Sequence, residues 1–347
     1  MTVHASRLID YDGNRRNNFT ILRIVLAWLV LYRHAYPIQF TPGAKDPLQL
    51  LFLGSATAGE IAVNGFFAIS GFLVVASLVR RGVKDYSLSR ILRIYPALIL
   101  CTVLSVFVLG PLFTTLSLSD YFSRSATFDY LWNALGVLRM EWSLPGVFES
   151  NARRAVNGSL WSITVETRCY ILLAVAGLFG AFRDRTTANF LMIAVFLFSL
   201  GFFADVPLIG INPKWSRPGL FFLIGVFFYV NRDRVYLDIR LALLAAILAY
   251  SSFGTPWYPH VFPLSFVYLI FYLAYTTRYI DTDGKIGDIS YGIYIYAFPV
   301  QQMVAHLFPD FTPLKNVALS TLVVIPMAYL SWHYIEKPCL RLKQKLS

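Results

Sequence analysis

Residues 18–37 read NFTILRIVLAWLVLYRHAYP. Wound as a helix, a run of that length rises about 30 Å, the thickness of the hydrocarbon core of a bilayer. Its apolar residues are continuous rather than alternating with period two, so it predicts a membrane helix and not a barrel strand. Arg23, Arg33 and His34 nevertheless lie inside it, where an ionised group costs several kcal/mol unless it meets a partner or a polar cavity. Arg23 and His34 are eleven residues apart, three helical turns, and so share one face about 16 Å apart along the axis. Two plainer readings stand beside a functional one: Arg23 snorkels to the headgroups, and His34 caps the helix ahead of Pro37.

The rest of the chain repeats this pattern. Of its 347 residues 57% are hydrophobic and 14% charged, against about 25% charged in a soluble domain. Reading apolar runs against bilayer length gives candidate spans at 18 to 37, 59 to 79, 88 to 110, 158 to 181, 188 to 205, 216 to 231, 236 to 253, 259 to 277, 287 to 308 and 315 to 336. The expected fold is therefore all-α, a polytopic membrane helix bundle of about ten transmembrane helices. An even number puts both termini on one side. Most of the 30 Lys and Arg, including Arg80, Arg81, Lys84, Arg90, Arg93, Arg232, Arg234, Lys343 and Lys345, fall on that side, which the positive-inside bias makes the cytoplasm. Lys45, Arg124, Arg139, Arg153 and Lys214 are among the fewer on the other.

The net charge of +11 is accordingly read as loops facing anionic lipid, with no nucleic-acid partner. Cys101, Cys169 and Cys339 show no CxxC pairing, so neither a disulfide framework nor a metal site is expected. The polar start, MTVHASRLIDYDGNRRNN, lacks the apolar core of a cleaved signal peptide. One membrane-embedded domain over 1–347 is expected, with a cytoplasmic tail at 1–17, a long outer loop at 111–157 and no extra soluble domain. The loop holds Trp132, Trp142 and a short helical patch, DYLWNALGVL. Loops of that length are usually functional.

The ionisable residues inside or beside the spans form the candidate site. In GEIAVNGFFAISGFLVV, Glu60, Asn64 and Gly71 share one side, while Ser70 and Gly71 suit close helix contact. In KDYSLSRILRIYPALIL, Arg90 and Arg93 stand three apart at the inner boundary, placed for a phosphate-bearing ligand or for lipid phosphate. NGSLWSITVETRCYILL carries Trp161 and, deeper, Glu166, a carboxylate that needs a partner such as His34 or Arg168. In SWHYIEKPCLRLK, His333 and Glu336 read as a structural clamp, with Pro338 closing the helix.

In this order the segments resemble the acyltransferase-3 family, whose members acylate sugars and other acceptors on bacterial surface glycans. The resemblance covers nearly the whole chain. It rests on Arg23 with His34, FFAISGF, RILRIYP, LWSITVE, ISYGIYIYAFPV and SWHYIEKP. Family members commonly show a His in the ninth span, where Tyr296, Ala297 and Phe298 stand here, so no catalytic role is read there. The resemblance implies transfer of an acyl group, by default acetyl, from cytoplasmic acetyl-CoA to a hydroxyl of a lipid-linked or exported saccharide. The products in view are an exopolysaccharide or lipopolysaccharide, and the location a bacterial inner membrane with lipid all round.

With that implication, Arg23, Arg90 and Arg93 become donor-binding residues, and Glu60, Asn64 and Trp161 substrate-binding ones. His34 becomes a general base with Glu166 holding its tautomer, or is itself acylated and relays the group. No metal is expected. Some relatives carry an added extracellular hydrolase-like domain, so this chain either finishes the transfer itself or passes the group to a separate periplasmic transferase. The rival reading is a transporter or flippase for a lipid-linked saccharide, whose paired halves the sequence does not show.

Overall fold

The computed structural model describes residues 6–136, 140–201 and 213–346. It is 74% helix and 2% strand. The longer helices in order are α1 (Phe19–Ile38), α2 (Ala58–Leu104), α3 (Leu160–Leu178), α4 (Arg185–Gly201), α5 (Pro213–Val230), α6 (Ile239–Ser252), α7 (Tyr258–Thr276), α8 (Ser290–Leu307), α9 (Pro313–Ser331) and α10 (Lys337–Leu346). Among the described residues, Phe19–Ile38, Ala58–Phe113, Leu160–Leu178, Tyr258–Thr276 and Pro313–Lys343 are long and apolar enough to cross a membrane. The predicted segments fall on these helices, the second and third on the two arms of α2. Residues 202 to 205 of the span 188 to 205, the end of the DYLWNALGVL patch, Arg139 and the first residues of the tail lie outside the described residues.

The arms of α2 meet at Gly82, whose φ of 76° and ψ of 171° break the helix. Glycine takes this left-handed φ without the clash a Cβ would cause. Two prolines behave differently from their reading. α1 runs through Pro37 to Ile38, so His34 lies inside the helix and does not cap it. Pro338 does not close the helix, which runs on without a break through it into α10. A π-helical turn, Trp332–Glu336, joins α9 to α10.

The chain forms two compact units. One comprises Met1–Leu26, Pro47–Ser87 and Arg168–Thr282; the other comprises Ala27–Asp46, Leu88–Thr167 and Asp283–Ser347. In the first, α4 packs on α5, and α6 on α7. The first arm of α2 meets α5 backbone to backbone: a methyl at Gly71 would collide with the Phe222 carbonyl, and one at Gly225 with that of Ala68. The small residues of the SGF segment thus permit close contact, as expected of membrane helix interfaces. Asp12 accepts from both Arg80 and Arg232, and Asn18 ties the start of α1 to Thr277 and Ile280 beyond α7.

In the second unit α8 packs on α9, with Gly292 against Ala328. The loop 111–157 is no open loop. It folds as a cap of short helices, Leu118–Ser123 and Ser125–Asp129, with a 3-10 turn at Tyr130–Ala134. Its core joins Tyr121, Tyr130, Leu144, Val147, Phe148 and Val156 to Val106 and Leu109. Gln302 of α8 fastens it by donating to the carbonyls of Arg153 (2.7 Å) and Ala155 (2.5 Å).

Replacing Gly71 with Val should force α2 and α5 apart at a cost of about 1–3 kcal/mol. The expected result is a lower melting temperature and less monodisperse protein on size exclusion in detergent, whereas Gly219→Ala, in open space, should change neither.

Candidate active site

Helix α1 supplies His34 because its apolar residues hold the helix in the protein while the imidazole turns inward to a half-buried position. Ser159 Oγ lies 3.5 Å from His34 Nδ1. Phe298 meets the ring edge to face, with centroids 5.1 Å apart. Phe298 can come this close to the start of α3 because residue 158 is glycine: a Cβ there would stand 2.5 Å from the Phe298 ring. Ile38, Ala305 and Ala155 of the cap complete the apolar surround of Phe298.

At the start of α3 the residues Ser159, Ser162 and Glu166 recur at i, i+3 and i+7, one helical face. Tyr294 of α8 packs on that face, with its hydroxyl 2.5 Å from Ser162 Oγ and donating to the Ser159 carbonyl at 3.2 Å. Glu166 is half-buried. The partner of His34 within hydrogen-bond distance is thus a serine, with Glu166 two turns further along the same face.

The same unit holds a buried ion cluster. The Arg93 guanidinium donates to Asp288 at 2.6 Å and to Glu336 at 3.0 Å, and it stacks near the rings of Trp332 and Tyr291. Glu336 is fully enclosed and also accepts from Ser331 at 3.1 Å. A fork of N–H donors against two carboxylates is the arrangement that guanidinium geometry favours. Trp332 closes over it because residue 287 is glycine: a methyl there would overlap the indole.

Compared with known proteins, residues 16–333 match the family model described as an acyltransferase domain, acyltransferase-3. The chain belongs to the acyltransferase-3 family. It is 31% identical to a protein named O-acetyl transferase from Shigella phage Sf6, over 96% of this chain and 99% of that one. It is 26% identical to Nodulation protein 10 of Rhizobium leguminosarum bv. viciae, over 97% and 96% of the two chains. No solved structure matches.

The other sequence-predicted residues of this acyltransferase-3 chain divide between the two units. Arg90 and Arg93 lie on the second arm of α2; Arg90 is half-buried, while Arg93 is already engaged by two carboxylates. Trp161 stands half-buried on α3. Arg23, Glu60 and Asn64 belong to the first unit. Arg23 reaches Thr20 Oγ1 at 3.4 Å. Asn64 is buried, and its Nδ2 has no hydrogen-bond partner among the described residues. Glu60 serves the helix itself. With Thr57 it forms a capping box, each side chain accepting the other's backbone N–H at 2.8 and 3.2 Å, which satisfies two free donors at the start of α2. Arg33, the third basic residue of the first span, faces Asp46 at 3.7 Å, which also accepts from the Tyr32 hydroxyl at 3.1 Å.

Several polar residues of the second unit escaped the sequence reading. Gln301 donates to the Leu31 carbonyl of α1 at 2.8 Å, and Asn316 bridges Gln39 and the Gln301 carbonyl. Two adjacent amides inside the apolar segment 287 to 308 were the available signal, since an amide in hydrocarbon needs a partner. Asp288, at the start of that segment, was the signal for an ion pair with Arg93.

Arg93→Met would leave Asp288 and Glu336 buried without their counter-charge, a loss of about 3–5 kcal/mol. Thermal unfolding in detergent should show it, and Arg93→Met combined with Glu336→Gln should recover part of the loss.

Proposed function

We propose that this acyltransferase moves an acetyl group from acetyl-CoA to a hydroxyl of a saccharide, with His34 as the base. The observation that carries the reading is His34 itself: an imidazole inside an apolar helix, turned toward the hydroxyl-lined face of α3, in a chain of the acyltransferase-3 family. The name of the phage relative, O-acetyl transferase, favours acetyl and an oxygen acceptor.

In the transfer, the acceptor hydroxyl attacks the thioester carbonyl while His34 removes its proton. The tetrahedral intermediate collapses with cleavage of the C–S bond, and CoA leaves as a thiolate that takes up the proton. The products are the acetyl ester and free CoA. General base catalysis of this kind contributes about 10²–10⁴-fold. Glu166, on the same face of α3 as Ser159, offers negative charge to the imidazolium as it forms. The same groups would serve if His34 carried the acetyl group as a relay.

CoA brings several phosphate charges, and Arg90 and Arg93 are the basic pair suited to them. Arg23 would add a donor-side cation, and Trp161 and Asn64 would contact substrate. The membrane arrangement proposed is about ten spans in a bacterial inner membrane with both termini in the cytoplasm. The acceptor is a saccharide of exopolysaccharide or lipopolysaccharide type, reached directly or through a separate periplasmic transferase.

The test is acetyl-CoA turnover by purified protein in liposomes supplied with total membrane lipid, followed by release of the CoA thiol. His34→Ala should lower kcat at least a hundredfold with donor affinity retained. Arg90→Ala should raise the KM for acetyl-CoA about tenfold with a smaller change in kcat. Normal turnover by His34→Ala would remove the proposed chemistry, and absence of CoA binding by wild type would bring the transport reading forward.

A further inference from the structure

Three hydrogen bonds hold the backbone of Ser159 at the start of α3. The Ser159 N–H donates to Asn157 Oδ1 at 3.1 Å, and Asn157 Nδ2 donates in turn to the Ile295 carbonyl of α8 at 2.9 Å. The Ser159 carbonyl accepts from the Tyr294 hydroxyl, which is itself paired with Ser162. Asn157 is fully buried and Ser159 is 1% exposed. These bonds hold the Ser159 backbone in place, and its hydroxyl faces His34 Nδ1.

We propose that Ser159 is the positioning residue of His34: its Oγ accepts the Nδ1–H and leaves Nε2 as the nitrogen that takes the acceptor's proton. The inference rests on the reading of His34 as the base and adds what orients it. Which ring nitrogen of a histidine carries its proton is set by the hydrogen bond the other nitrogen makes. The 3.5 Å separation is long for such a bond, as catalytic contacts often are before the substrates bind, and it should shorten when the ring becomes charged.

In serine hydrolases a buried carboxylate orients the imidazole, and the sequence reading assigned that role to Glu166. Here the group beside Nδ1 is a neutral hydroxyl, and Glu166 acts at longer range. Ser159 is too enclosed to be the attacking nucleophile.

The experiment compares wild type, Ser159→Ala, Ser159→Thr and His34→Ala in proteoliposomes with acetyl-CoA, reading CoA thiol release over a range of donor concentrations beside thermal unfolding. Ser159→Ala should lower kcat about ten- to a hundredfold while the KM for acetyl-CoA stays within about twofold and the melting temperature holds. Ser159→Thr, which keeps the hydroxyl, should recover at least about a third of kcat. Wild-type kcat in Ser159→Ala beside an inactive His34→Ala would overturn the positioning role and leave the base standing. Normal turnover in His34→Ala would overturn both. Loss of kcat in Ser159→Ala together with a lower melting temperature or a raised KM, without recovery in Ser159→Thr, would reduce Ser159 to a packing residue and overturn the proposal. So would an acetylated Ser159 found by peptide mass spectrometry after exposure to the donor alone, which would make it a nucleophile.

Discussion

The Arg93 guanidinium, held between Asp288 and Glu336, is the interaction on which the second unit depends. It joins the second arm of α2, the turn before α8 and the π-helical turn after α9. Buried in the protein, an ion is costly unless it meets its counter-ion, so these segments converge. The convergence sets the course of α8, and α8 in turn carries Tyr294, Phe298 and the amides of Gln301 and Gln302. The groups around His34 thus stand on a scaffold pinned by charge several turns away.

Much of the fold was legible in the sequence because the bilayer imposes one strict requirement. Each backbone polar group must be bonded internally, so spans appear as unbroken apolar runs, and the helices lie where those runs are. The candidate site was legible to the extent that it used ionisable residues. Arg23, His34 and Glu166 stand out because hydrocarbon excludes charge. Glu60 stood out for the same reason, yet its pattern with Thr57 three residues earlier was also a capping box, and the structure gives it that role.

The hidden parts are those without charge or those made by tertiary contact. Ser159 and Ser162 look like ordinary small residues of a membrane helix, and only the approach of His34 and Tyr294 distinguishes them. The double engagement of Arg93 needed two partners 195 and 243 residues away in sequence, which no local pattern announces. Pro338 misled because the π-helical turn just before it lets the helix run on through the proline.

The cap over residues 111–157 has its own apolar core, and Gln302 holds its last stretch through carbonyl groups, which every amino acid possesses. Substitution on its outward surface therefore leaves both the core and the fastening intact. Over evolutionary time such a part can drift quickly while α1, α3 and α8 change slowly.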